Sequence, residues 1–183
     1  MAVILDATLG GPDSNSYQTV ADVDAYYMNS LNVLKWNALD SDTKAAALIY
    51  ATTWMETITY GGNKCTEEQN LKWPRTGYTG RCGTATCDFI PDEVLTGHAE
   101  LALSVGINPD LLTGAPGTSP QRTYTQREKL DVLEIEYATL SDASQSLLVR
   151  TPLLFRQVPW LEPLVKCWMA NDGSDRMIRV FRG

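Results

Sequence analysis

The side chains whose types and spacing could carry chemistry are few. Cys65, Cys82 and Cys87 precede the single histidine, His98, and the four together contain the donor types of a zinc site. Structural zinc draws its ligands from tight pairs two to four residues apart, and the four-residue gap in CGTATC lies at the edge of that pattern. The same gap allows a Cys82 to Cys87 bridge sterically, but in a reducing cytoplasm free thiols are the expectation, with Cys167 packed in an apolar run. His98 falls mid-helix between Leu95 and Leu101 with no Ser or Cys nucleophile motif beside it. A surface or interface histidine is therefore expected rather than a general base. Lys64, Lys72, Arg75 and Arg81 surround Trp73 and Tyr78, a modest basic and aromatic cluster of the kind that holds single-stranded nucleic acid. The glycine pairs at 10–11 and 61–62 match neither a P-loop nor a dinucleotide fingerprint, and no two carboxylates are placed as acid and base. Neither enzyme activity, a cofactor nor a metal is expected.

The elements that must position these residues read mainly as helices. Thr19 followed by Asp22 is a weaker form of the capping box, and Val20, Val23, Tyr27 and Leu31 form one apolar stripe behind it, with Tyr17 packing back as an anchor. SDTKAAALIYATTWMETITY is the strongest helix, with Ser41 as its expected cap, and it is apolar on nearly every face, as the centre of a bundle would be. TEEQNLKWPRTG reads as a short acidic helix ending before Trp73, because Pro74 disfavours helical backbone in the residue before it. YTGRCGTATCDF reads as an exposed loop. PDEVLTGHAELALSVG reads as a third long helix opened by Pro91, burying Val94, Leu95, Ala99, Leu101, Ala102 and Val105.

Beyond Gly106 a stretch rich in Pro, Gly, Ser and Thr marks a boundary. The expected fold class is mainly α: a small helical bundle, residues 1–113, with a long C-terminal arm, residues 114–183, containing short β-strands. Leu133, Ile135 and Tyr137 alternate with Glu134 and Glu136 as in a half-exposed strand. Residues 152–170 are apolar but broken by Pro152, Pro159 and Pro163, with room for a short helix carrying Leu164, Val165 and Trp168. Arg176, Ile178, Arg179, Val180, Phe181 and Arg182 alternate as a terminal strand without a local partner. Such an arm is hard to bury on a three-helix core, so it either packs in part on another chain or folds back on its own; in the first case Trp160, Trp168 and the terminal strand are the candidate interface residues toward another chain or a neighbouring sheet edge.

Composition narrows the function. With 44% hydrophobic residues, five Trp and eight Tyr in 183 residues, the chain is too apolar for disorder. Its charge of -7 is unevenly spread: 2 basic against 7 acidic residues in 1–60, 4 against 7 in 61–110, and 9 against 8 in 111–183. The N-terminal part therefore lacks the basic face that grips a duplex. No apolar run suggests a membrane helix, and MAVILDATLGGPDS has Asp6 and no basic start, so a soluble protein made in a cytoplasm is expected.

Taken in order, SNSYQTVADVDAYY, Trp36, DTKAAALIYATTWME, EEQNLKWPRTG and IPDEVLTGHAELAL resemble the successive motifs of phage proteins with a DnaT-like single-stranded-DNA-binding domain. The resemblance covers roughly residues 14–106, LKWPRTG being its most specific part, and LEIEY is similar to the family's C-terminal half. Such proteins resemble head-tail connector, or adaptor, subunits of the phage neck. The resemblance implies a virion protein, assembled in the host cytoplasm into a homo-oligomeric ring, twelve-fold to match the portal, through which DNA passes without specific binding. Its partners would be the portal protein and a tail or nozzle protein. Trp73, Pro74 and Arg75 would form a structural corner rather than a catalytic site. An acidic body suits a conduit along which DNA slides. A single-stranded-DNA binder is the alternative function.

Overall fold

The computed structural model describes residues 3–80, 82–112, 127–130, 133–136 and 153–170. They form helices with a few short two-stranded ladders. Helix α1, Val20–Tyr27, opens on the reciprocal cap read from the sequence: the Asp22 amide donates to Thr19 Oγ1 at 3.2 Å and the Thr19 amide donates to Asp22 Oδ2 at 2.9 Å. It buries Val23 and Tyr27 and then stops. Leu31 therefore lies beyond the helix, fully exposed, and is not part of the expected stripe. A short helix α2, Val33–Asn37, follows and inserts Trp36 into the core, its indole stacked on Tyr27.

Helix α3, Ser41–Met55, is capped by Asp40 rather than Ser41. Asp40 keeps an extended backbone and its carboxylate accepts from the Thr43 amide at 2.9 Å, while Ser41 is already helical. Helix α4, Asp92–Ile107, packs along α3, with Pro91 at its cap position instead of its first turn. Ala47, Leu48, Ala51 and Met55 of α3 meet Val94, Ala99, Leu101, Ala102 and Val105 of α4 in one core. Each such large side chain taken out of water contributes about 1.5–3 kcal/mol.

Between them lie β1, Asn63–Lys64, paired antiparallel with β2, Arg75–Thr76, and β3, Thr79–Gly80, paired with β4, Gly83–Thr84. The second pair is a small hairpin where a loop was expected. Residues 66–74 form no helix, against expectation. Their backbone groups are satisfied from outside: Lys64 Nζ donates to the carbonyls of Gln69 and Asn70, and the Asn70 amide donates to Gly11 O. A separate hairpin pairs β5, Arg127–Leu130, with β6, Leu133–Glu136, where the alternating sequence predicted a strand.

Residues 153–170, which fall in the expected arm, fold back on the helices. They form α5, Leu153–Gln157, α6, Leu161–Val165, and a 3-10 turn, Lys166–Trp168, and they close the core of the N-terminal helices. Leu154, Phe155, Val158, Leu161, Val165 and Trp168 are all buried. Gly97 sits at this contact: a Cβ there would stand 2.9 Å from Leu161 Cδ1 and 3.3 Å from Val165 Cγ1, so a large side chain at 97 would have to push α6 or its side chains away from α4. Backbone hydrogen bonds from Gly61 N to Trp168 O and from Ala170 N to Thr59 O, 2.9 and 3.0 Å, fix the end of the segment.

Candidate functional site

The basic and aromatic cluster is a corner built inward. The Trp73–Pro74 peptide is cis, and the Trp73 indole is buried edge-on to Tyr60 and Trp168. Arg75 is buried too, and its guanidinium donates to the carbonyls of Gly61 at 2.7 Å, Lys72 at 3.1 Å, Tyr60 at 3.3 Å and Gly62. It thus satisfies the backbone where the chain turns out of α3 into β1. Gly62 holds a positive φ there, and a Cβ would strike Thr76 O.

Lys72 Nζ donates to Glu56 O and, at 2.7 Å, to Ile58 O. Burial lowers the pKa of its ammonium, and the nearby Glu56 carboxylate partly offsets this. Glu56 Oε1 accepts from the Tyr17 hydroxyl and from the Lys72 amide. Gln69 Nε2 donates to Leu71 O and Pro74 O. Lys64, Lys72 and Arg75 thus spend donors on the protein's own carbonyls, and Arg81 lies outside the described residues. Trp73, Pro74 and Arg75 hold the loop against the end of α3, the N-terminal segment through Gly10, and the 168–170 seam. Glu56 and Gln69 are corner residues that the sequence reading missed. The signal present was a carboxylate at the end of an otherwise apolar helix.

His98 is fully buried, not on a surface or interface as expected. Its Nε2 lies 2.8 Å from Thr52 Oγ1 and 3.0 Å from Leu48 O, and its Nδ1 lies 3.0 Å from Gln18 Oε1. Tyr17 packs edge-on against the ring. Burial pushes its pKa down to about 4, opposed by the Leu48 carbonyl. A neutral imidazole enclosed by Gln18, Thr52 and the Leu48 carbonyl is a packing element. It ties the capping segment of α1 to the crossing of α3 and α4.

The cysteines are neither free nor paired as Cys82 with Cys87. Cys65 bonds Cys87 and Cys82 bonds Cys167. All four sulfurs being consumed, and His98 being enclosed elsewhere, the donor set weighed for zinc does not assemble. Among the described residues no group of three or more His, Cys, Asp and Glu side chains is placed to hold a metal ion, and no helix is long and apolar enough to cross a membrane.

Several large apolar side chains face solvent, and three of them fall close together in sequence. Met28, Leu31 and Leu34 are 71%, 102% and 80% exposed, gathered within seven residues at the turn from α1 to α2. Asp22, Asp40 and Asp42, which flank that stretch in sequence, are exposed as well. Asp24 is engaged: burial would raise its carboxyl, but hydrogen bonds from Lys44 Nζ and Trp36 Nε1, 2.8 and 2.6 Å, hold it below the usual range. Of the interface candidates, Trp160 is 40% exposed. Trp168 is not available: it is buried beneath Trp73 and Tyr78, with Nε1 donating to Glu93 Oε2 at 3.1 Å. Arg176, Ile178, Arg179, Val180, Phe181 and Arg182 lie outside the described residues.

No curated protein and no solved structure matches the chain. The family model described as "Putative DnaT-like ssDNA binding protein" matches residues 1–183, the whole length. The chain belongs to that DnaT-like family.

Proposed function

We propose that the chain is a structural subunit of a tailed-phage virion, a head-tail connector that assembles with copies of itself into a ring beneath the portal. The exposed apolar side chains of Met28, Leu31 and Leu34 carry this reading, because large apolar side chains left in water close together in the chain suit a surface that another protein covers. Two further observations support it. Among the described residues of the basic cluster, Lys64, Lys72 and Arg75 are tied to backbone carbonyls. The body also carries an acidic excess, which opposes tight capture of a passing nucleic acid. The virion neck as location, the portal and tail proteins as partners, and the twelve-fold ring all belong to this proposal.

Single-stranded-DNA binding is the second reading, and the family's description favours it more directly than it favours a ring. Phe89, 50% exposed, and Trp160 are aromatic faces on which bases could stack. One pair of measurements separates the two. Anisotropy of a labelled oligothymidylate is titrated with protein across salt, and the assembly state is read by sedimentation and negative-stain microscopy. Rings with no oligonucleotide binding at moderate salt support the connector. Tight binding with a steep salt slope from a monomer supports the second reading and overturns the first. In the connector, replacing Leu31 and Leu34 together with Asp abolishes ring formation while the far-UV spectrum stays unchanged, since neither side chain is in the core.

A further inference from the structure

The hairpin β3–β4 presents one cysteine to each side. Cys82, in its turn, bonds Cys167 in the 3-10 turn after α6, and Cys87, at its exit, bonds Cys65 just after β1. The bridges span 22 and 85 residues of sequence. In each bridge the hairpin cysteine is exposed, while its partner, Cys65 or Cys167, is half-buried.

Contacts other than the sulfurs already align these partners. The Tyr78 hydroxyl donates to the carbonyls of Cys167 at 3.0 Å and Met169 at 3.2 Å, and the Ala85 amide donates to Tyr78 O at 2.9 Å. Gly80 lets the hairpin approach, since a Cβ there would meet Cys167 O at 2.6 Å. Trp168 is held by Trp73, Tyr78 and Glu93. The thiols of a reduced chain would thus be brought together by a fold that does not need the bridges to form.

We propose that Cys65–Cys87 and Cys82–Cys167 are a redox clasp, closed after folding by thiol–disulfide exchange with a low-molecular-weight disulfide, which pins the 78–89 hairpin between the N-terminal body and the 153–170 segment. In each closure the exposed hairpin thiolate attacks the small disulfide, forming a mixed disulfide and expelling one thiolate. The half-buried partner, as thiolate, then attacks the hairpin sulfur and expels the second. Two protein thiols are oxidised and one small disulfide is reduced to two thiols, so the two bridges consume two small disulfides and release four thiols. The arrangement suits a protein made where thiols are reduced and used where disulfides persist.

The test uses the full chain, reduced with dithiothreitol, desalted and titrated with glutathione disulfide under native conditions. Alkylation with iodoacetamide and mass measurement are expected to show four reactive thiols falling to none. Peptide mapping should then return the pairs Cys65–Cys87 and Cys82–Cys167. The thermal midpoint should rise by about 10 °C or more on oxidation, because cross-links of this span restrict the unfolded chain. The far-UV spectrum of the reduced form should match that of the oxidised form, and amide-exchange protection should increase at 78–89 and 161–170. Thiols that stay alkylatable in excess glutathione disulfide, a mixture of pairings, or an unchanged midpoint would each overturn the clasp. None of these outcomes depends on whether the chain forms rings or binds an oligonucleotide.

Discussion

His98 keeps both ring nitrogens in contact with protein acceptors and a hydroxyl, so its titration is coupled to folding. Its pKa in the folded chain is about 4, below the ordinary value of 6.5 that the unfolded chain regains. Between these two values the unfolded state holds more protons, so stability is complete above about pH 6.5 and declines as pH falls toward 4, by about 3 kcal/mol in all. Urea unfolding at pH 7.5, 6.5 and 5.5 should show this loss, and His98→Asn should flatten it, since carboxylates titrate mostly below that window. Arg75 acts through shape as well as charge. Its planar fork reaches four carbonyls in different directions, and a lysine ammonium cannot span them. Arg75→Lys should cost about 3 kcal/mol, as buried carbonyls lose their partners, measured as a lower urea midpoint at unchanged slope.

Among the elements, those read correctly carry their own signals. Thr19 with Asp22 marks the start of α1, and the Ala-rich apolar composition of α3 and the apolar spacing of α4 mark the two long helices that pack on each other. The helices α2 and α5 have five residues each, too few for a period to declare itself, while the short helix expected to carry Leu164, Val165 and Trp168 is present as α6 and the 3-10 turn after it. Where these segments pack is decided by long-range contact, and so it stayed open in the sequence. The corner was readable as a corner through Trp73 and Pro74, but not the carbonyl hub of Arg75, whose acceptors lie up to fifteen residues away. The cysteine pairings were hidden for the same reason: the hairpin sends its two sulfurs to opposite neighbours. One glycine tests the α4–α6 seam. Gly97→Leu would force a side chain into the space filled by Leu161 and Val165, against which overpacking typically costs 1–3 kcal/mol. The expected result is a red shift of tryptophan emission as Trp168 becomes wet, with helices α3 and α4 retained.

On the scale of the whole molecule, residues 153–170 complete the apolar core and are joined to it by the Cys82–Cys167 bridge and by the backbone bonds at Thr59 and Gly61. Outward docking, if the connector proposal holds, therefore falls to the apolar corner of α1 and α2 and to residues beyond the seam, where Arg176, Arg179 and Arg182 alternate with Ile178, Val180 and Phe181. Two truncations divide these duties. Removing residues 174–183 takes nothing from the described core, so the thermal midpoint should stay within about 2 °C of the full chain, since each kcal/mol moves it by roughly 2–4 °C at this size. Removing residues 153–183 strips Leu154, Phe155, Leu161, Val165 and Trp168 from the core and orphans Cys82, and that chain should fail to unfold cooperatively at all. If the shorter deletion also abolishes co-sedimentation with portal rings, the terminal residues are the docking element. Equal co-sedimentation of the shortened and intact chains would point instead to the corner of Met28, Leu31 and Leu34, to be tested with the Leu31 and Leu34 replacements.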